Sequence, residues 1–432
     1  MRSSTPRPSA LLTSVILFGI LCGPAVAQFR QYTPPGDLQG EPASRREGLE
    51  KDVAEARWHL GALRVQPELT LRNLAWVDDV FPGSGDENVS DLTAAVAAGL
   101  HLYLPIGTKT TLAAYALPEY VWWRDQADRR RLNESYGVGL FAYFNRLTLE
   151  LAGRSDERLS FATSEIQQQI TDSQDQLNAD LEIFLRRNLA LFASLSSTDF
   201  RYLLDEAERL DPRIAPFDRL DRDEDILRGG FRVRLRGGLT VDLGVERSEA
   251  TFRSADNDLS NSGTAPYLAL VLDRGPWRIN AEAALRSLEP EGASEFRSFD
   301  ETTGRIEATL RLRSRLSVHA TAARSLTYSV TSGFTYALDD RQGLGLELAL
   351  GNRSSLLVFT ETGEVDYTAG TPFTERLDDY SGWGARLELG LGRKAEVQLG
   401  VEDTEFDSNL PGFDRSVTRI TTQIRLSHTS WP

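Results

Sequence analysis

Apolar and polar side chains alternate along this chain with a period of two. Phe231-Arg-Val-Arg-Leu-Arg236 resumes beyond Gly237-Gly238 as Leu239-Thr-Val-Asp-Leu-Gly-Val-Glu246, with the apolar residues at odd positions throughout. Successive side chains of a strand point to opposite faces. One face therefore carries Phe231, Val233, Leu235, Leu239, Val241, Leu243 and Val245, and the other carries Arg232, Arg234, Arg236, Asp242 and Glu246. The same signal runs through 98–104, 147–151, 306–312 and 383–391. Each run covers about 10–14 residues, against about 5–6 for an ordinary strand and about 9–11 for a tilted strand that crosses a membrane.

Breaks between the runs fall into two kinds. Very short ones lie at Ile106-Gly107, Phe144-Asn145, Arg187-Asn188, Gly237-Gly238, Arg274-Gly275, Arg313-Ser314, Asn352-Arg353 and Gly392-Arg393, about 40 residues apart. Between them lie longer, acidic stretches: 78–91, 161–174, 205–224, 253–263, 289–301, 367–379 and 407–416. Short turns at one end and long loops at the other are the asymmetry of outer-membrane barrels. Eight short turns join sixteen strands, and Ala62 to Trp76 and Val417 to His428 add one at each end. The expected fold is all-β: a single up-and-down antiparallel transmembrane β-barrel of about 18 strands, with short periplasmic turns and long external loops. Between Ser329 and Arg341 the external loop shrinks to a few residues. A β-propeller shares the 40-residue period, but its four-stranded blades need strands of about five residues, and here each unit holds two long runs. An array of sandwiches remains compatible with the alternation alone.

The N-terminus places this barrel in the envelope. Arg2 and Arg7 precede an apolar run from Ala10 to Cys22, then Gly23-Pro24 and Ala25-Val26-Ala27, which reads as a signal peptide over 1–27. The chain's one Cys and one Met lie in this leader, so the mature chain needs no disulfide framework. With 63 acidic against 48 basic residues the net charge is −15, which argues against nucleic acid as a partner. No segment holds 18 consecutive apolar residues, so lipid is met by strands and not by helices. Residues 28–60 form a short periplasmic segment in which 43–58 has a helical pattern, read as a tether or partner contact. The barrel itself spans 61–432. Tyr120, Trp122 and Trp123 at one end, and Phe144, Trp277 and Trp431 at the other, suggest interfacial girdles.

Function is expected on the inward face. Its candidates are Arg232, Arg234, Arg236, Asp242, Glu246, Arg278, Glu282, Glu307, Arg311, Arg313, Arg386 and Glu388. With the other inward charges, the two signs nearly cancel, so cross-strand ion pairs are the plain reading and no ring of one sign arises to select ions. Enzyme signatures are poor. His59, His101, His319 and His428 fall at no spacing that proposes a nucleophile and its base. Asp218, Asp221, Asp223 and Asp225 lack the Gly and terminal Glu of a calcium loop and read as solvated. No catalytic residue, metal or cofactor is expected.

The stretch Trp58-His-Leu-Gly-Ala-Leu-Arg-Val-Gln-Pro67-Glu-Leu-Thr-Leu, followed by Trp76-Val-Asp-Asp79-Val-Phe81, resembles the opening of the β-barrel porin 2 family. Asp79 stands where that pattern prefers Asn. The resemblance implies no catalytic residues. It implies a passive outer-membrane conduit for exported polysaccharide, with a periplasmic export protein as partner and outer-membrane lipid around the wall. A general or small-solute porin and a structural or adhesive barrel with an occluded lumen are the other readings of the same strands.

Overall fold

The computed structural model describes residues 45–426 except 78–90, 128–129, 162–168, 205, 211–213, 255–257, 293, 332, 352, 370–374 and 392–394. The leader, its cleavage site, Asp79 and Phe81 of the resemblance stretch, His428 and Trp431 lie outside them.

Twenty strands form one antiparallel sheet. The first seven are β1 (Trp58–Leu60), β2 (Leu63–Val77), β3 (Asp91–Ile106), β4 (Thr110–Ala116), β5 (Glu119–Trp123), β6 (Arg131–Tyr143) and β7 (Leu147–Phe161). Next come β8 (Gln169–Arg186), β9 (Leu189–Tyr202), β10 (Arg222–Arg234), β11 (Leu239–Phe252), β12 (Asn261–Arg274), β13 (Trp277–Pro290) and β14 (Phe299–Arg313). The last six are β15 (Leu316–Tyr328), β16 (Phe334–Ala349), β17 (Ser354–Ala369), β18 (Arg376–Leu391), β19 (Ala395–Ser408) and β20 (Arg415–Leu426). Apart from β4 and β5, which both lie between β3 and β6, each strand pairs with the next in the chain, and β20 returns to β2 through Leu69↔Leu426, Thr70↔Arg425 and Leu71↔Ile424. The wall is therefore closed, which excludes blades and stacked sheets and leaves no sheet edge to be satisfied by lipid.

The wall has eighteen strands. β4 and β5 are two halves of one: the register of β3 continues unshifted from Leu100↔Ala116 to Ala97↔Glu119, and that of β6 does likewise. Leu117-Pro118 interrupts it because proline has no N–H for the ladder. β1 is a three-residue rib folded back on β2 through Gly61, whose φ of 64° suits glycine.

Closure sorts the two faces. Leu227, Phe231, Leu243, Val245, Leu344, Leu346, Val358 and Trp383 are half-exposed on the outside, as an apolar belt facing lipid. The alternate residues point inward, where Arg222, Glu224, Asp242, Glu246, His101 and His319 are buried. A charge on the belt is expected to be costly. Leu243→Arg, midway along β11, should lower unfolding stability in lipid vesicles by about 2–4 kcal/mol in a urea titration, whereas the inward neighbour Asp242 already sits beside a guanidinium.

The girdles are partly as the pattern implies. Phe144 and Trp277 are exposed at the short-turn rim, and Tyr120 is exposed at the other. Trp123 is a correction: it has the inward parity of Glu119 and Val121 and is buried with Ala95 and Val121.

Helix α1 (Arg45–Glu55) falls within the stretch read as helical. It does not hang free as a tether. Leu49 is buried against Tyr103, Ala113 and Phe141, all inward residues of β3, β4 and β6, with Val53 and Tyr143 beside them. The Arg46 guanidinium lies 5.6 Å from the Tyr143 ring centre. The helix thus occupies part of the short-turn mouth, because Leu49 and Val53, four residues apart, give it one narrow apolar stripe and the inner wall there supplies aromatics.

Candidate functional site

The inner wall of β8–β13 is a lattice of ion pairs. Arg232 donates from Nε and Nη2 to the two carboxylate oxygens of Asp242, at 2.8 and 2.7 Å, directly across the β10–β11 ladder. Glu182 on β8 accepts from Arg234 at 2.6 Å and stands 3.5 Å from Arg232. Glu246 accepts from Arg228 and Arg286, each at 2.7 Å. Arg228 also reaches Glu282 at 3.0 Å, three strands away. It does so because β12 presents only Ala265 and Ala269 inward around Tyr267, whose ring centre lies 5.0 Å beneath the guanidinium. Planar, charge-delocalised Arg suits this double use of carboxylate and ring.

The remaining candidates sit lower or are more open. Arg278 pairs with Asp273 at 3.1 Å near the short-turn rim. Glu307 accepts from Asn280 at 3.3 Å. Arg386 is buried 3.6 Å from Glu402, while Glu388 is half-buried two residues along the same face. Arg311 is exposed near Glu347. Two candidates leave the regular wall: Arg236 is in the turn after β10, and Arg313 is exposed beyond a ladder irregularity at the end of β14.

Two histidines are wall pairs. His101 lies 3.1 Å from Glu68 and stacks on Tyr115, and His319 lies between Thr309 at 3.1 Å and Glu347 at 2.9 Å. His59 contacts the Ala56 carbonyl. The four aspartates do not converge. Asp218 is near Arg209, Asp223 pairs with Arg253, Asp225 points outward, and Asp221 accepts the Tyr202 amide at 2.7 Å. Burial holds the Asp221 carboxyl above the usual carboxylate range despite that bond. Among the described residues no three His, Cys, Asp or Glu side chains are arranged to hold a metal.

The long-loop mouth is narrowed from inside. The β13–β14 ladder continues up to Leu288↔Phe299 and the β15–β16 ladder to Tyr328↔Tyr336, but the β14–β15 ladder stops at Gly304↔Arg324. Above that point the sheet splits and the tip of the β15–β16 hairpin passes behind β14. The even-numbered face of β16 shows it: Leu344 and Leu346 are 51% and 53% exposed to the lipid side, while Leu338 and Tyr336 on the same face are 8% and 7% exposed. Tyr328 and Tyr336 meet the inward rings of Phe252 at 4.8 Å and Phe299 at 5.6 Å. Arg324, outward on β15, pairs with Glu301, inward on β14, which places one strand over the other.

Three external loops fold in to meet this tip. Phe217 and Leu220 of the 3-10 turn Ala215–Leu220, Leu259 and Phe296 complete its apolar core. Arg219 donates from Nη2 to the carbonyls of Ser329, Thr331 and Phe334 at 2.7, 2.8 and 3.2 Å, and Asn261 donates to the Tyr328 hydroxyl at 2.9 Å. The opposite face of the hairpin covers Val365, Tyr367, Tyr380 and Phe406. Beside them Arg376 and Arg415 share Asp378. These elements escape the alternation, which puts 205–224 and 367–379 in loops. Arg222-Asp-Glu224 and Arg376-Leu-Asp378 keep the period of two and mark the strands as running on.

A closed eighteen-stranded wall with an apolar belt, a polar interior and turns short at one end defines the class: a β-barrel of the outer-membrane kind. No protein-family model and no curated protein matches the chain, so of the resemblance to the β-barrel porin 2 family the barrel class alone stands. Among solved structures it is similar to OccK9 (OpdG) of Pseudomonas aeruginosa, with 16% identity, a TM-score of 0.49 and coverage of 84% of this chain and 98% of that one. It is similar to a BenF-like porin from Pseudomonas fluorescens Pf-5, with 11% identity, a TM-score of 0.49 and coverage of 84% and 99%. A bacterial polysaccharide outer membrane secretin shares 10% identity, with a TM-score of 0.38 and coverage of 84% and 98%.

Proposed function

We propose that the chain is a passive, narrow channel for small polar solutes across the outer membrane. The observation that carries this reading is the filled interior. A polymer conduit needs a wide hydrated bore, and here the β15–β16 tip and three loops crowd the external mouth while α1 lies in the other. The wall charges are largely neutralised in place: buried Asp242 is held by Arg232, and buried Glu246 by Arg228 and Arg286, so they line the path without presenting one sign to it. Small hydroxylated or zwitterionic solutes suit such a path, exchanging hydrogen bonds with half-open residues such as Arg234 and Glu347.

Reconstitution tests it. Purified protein in planar bilayers should give discrete conductance steps with little preference between potassium and chloride, and liposomes carrying it should swell in a pentose but not in a long dextran. Absence of steps would favour the occluded adhesive barrel, and dextran entry would restore the polysaccharide conduit.

A further inference from the structure

The overlap of β15 behind β14 leaves a step in the outer wall, and a groove of about 860 Å³ runs along it. One cross-strand row follows the groove. Leu268 opposes Ala283, Ala283 opposes Gly304, and Gly304 opposes Arg324. The row then passes from Arg324 through Asp340 and Glu364 to Asp379. In the other direction it reaches Leu243 and Phe231 on the lipid belt. Because barrel strands are tilted by about 35–45°, such a row climbs through the membrane. It changes from apolar to charged at Gly304, where the wall steps; an added Cβ there would lie 2.4 Å from the Glu282 carbonyl oxygen.

We propose that this groove binds one amphiphile, a glycolipid with an uncharged, hydroxyl-rich head. Ala283, Ile306 and Ala322 form a floor of small and apolar side chains open to the bilayer, which suits an acyl chain. The head end offers acceptors in Asp340, Glu364 and Asp379, and donors in Gln342 and Thr362. Arg324 is already shared between Glu301 and Asp340. Of the other two arginines at the groove, Arg305 has the inward parity of β14 and Arg341 is turned inward onto Asp339. On the outer row a phosphate would therefore meet three carboxylates and only the committed Arg324, whereas sugar hydroxyls donate to carboxylates and accept from amides. The site is separate from the lumen and independent of what the channel carries.

The probe is dodecyl maltoside, compared with dodecylphosphocholine of the same chain length, added to the full chain in an amine-oxide detergent and followed by native mass spectrometry. One maltoside per barrel is expected to survive activation that strips the phosphocholine. Ala322→Trp, which fills the floor, should reduce retention about tenfold, and Glu364→Gln with Asp379→Asn should reduce it with the floor intact. Equal retention of both detergents, or retention unchanged in the carboxylate variant, overturns the proposal. A heat-dependent gel shift reports whether each variant is folded, and the carboxylate variant decides the matter if Ala322→Trp is not.

Discussion

Replacing residues 325–339 with Asn-Gly is expected to raise single-channel conductance several-fold. The cut is set by the register. Arg324 and Asp340 face each other across the β15–β16 ladder, so a two-residue turn closes the hairpin there, and Asn-Gly supplies the positive φ values that such a turn needs. The shortened hairpin ends at the level where the β14–β15 ladder ends, and the wall below is untouched. What is lost is the plug: Tyr328, Tyr336 and Leu338, and with them the partners of Phe252, Phe296 and Phe299. Arg219 loses the three carbonyls it holds, so the loop carrying Phe217 should loosen as well. Conductance in planar bilayers reads the effect, with larger and noisier openings expected. An unchanged conductance would mean that the tip lies outside the ion path and that the constriction is elsewhere.

The second large effect is on stability. Asp378 and Arg376 are each 0% exposed, and the carboxylate accepts from Arg376 Nε at 2.9 Å and from Arg415 Nη1 at 3.0 Å. The Arg376 guanidinium lies 4.1 Å from the Tyr367 ring centre and 4.0 Å from that of Phe413, and Arg415 lies 3.7 Å from that of Phe406. Asp378→Ala removes the carboxylate that both guanidinium groups share beside these rings. Removing one member of a buried pair costs about 3–5 kcal/mol, so the variant should unfold in lipid at markedly lower urea than the parent. Asp378→Asn retains the shape and one acceptor, and is expected to fall between them. If alanine is tolerated within about 0.5 kcal/mol, the level of an ordinary surface change, Asp378 carries no structural duty.

Much of the barrel is written in the alternation. Long runs of period two, short turns about every 40 residues and acidic stretches between them give eighteen strands and the sense of each face. The Arg232–Asp242 pair follows from the same parity once β10 and β11 are joined through Gly237-Gly238. What the pattern conceals is any place where an apolar face stops meeting lipid and starts meeting protein. Leu338 is as apolar as Leu344 and Leu346, and a period of two has no mark for the bend between them. Arg228 is hidden for another reason: Gly229-Gly230 interrupts the alternation, so the visible run starts at Phe231. Helix α1 shows one stripe of two apolar residues in a charged segment, too little to announce an inner wall as its partner.

The rib β1 bears on how the cylinder is sealed. β20 meets β2 at Leu69–Leu71 in the described residues, and the stretch of β2 just before it, Leu63–Val65, is already zipped to Trp58–Leu60. That small ribbon is local, closed across two residues, whereas the seam joins residues more than 350 positions apart, so the rib needs far less chain to be ordered than the closure does. The edge of β2 at Leu63–Val65 is thus taken by the rib, and among the described residues the closing strand finds its partner only from Leu69 onward.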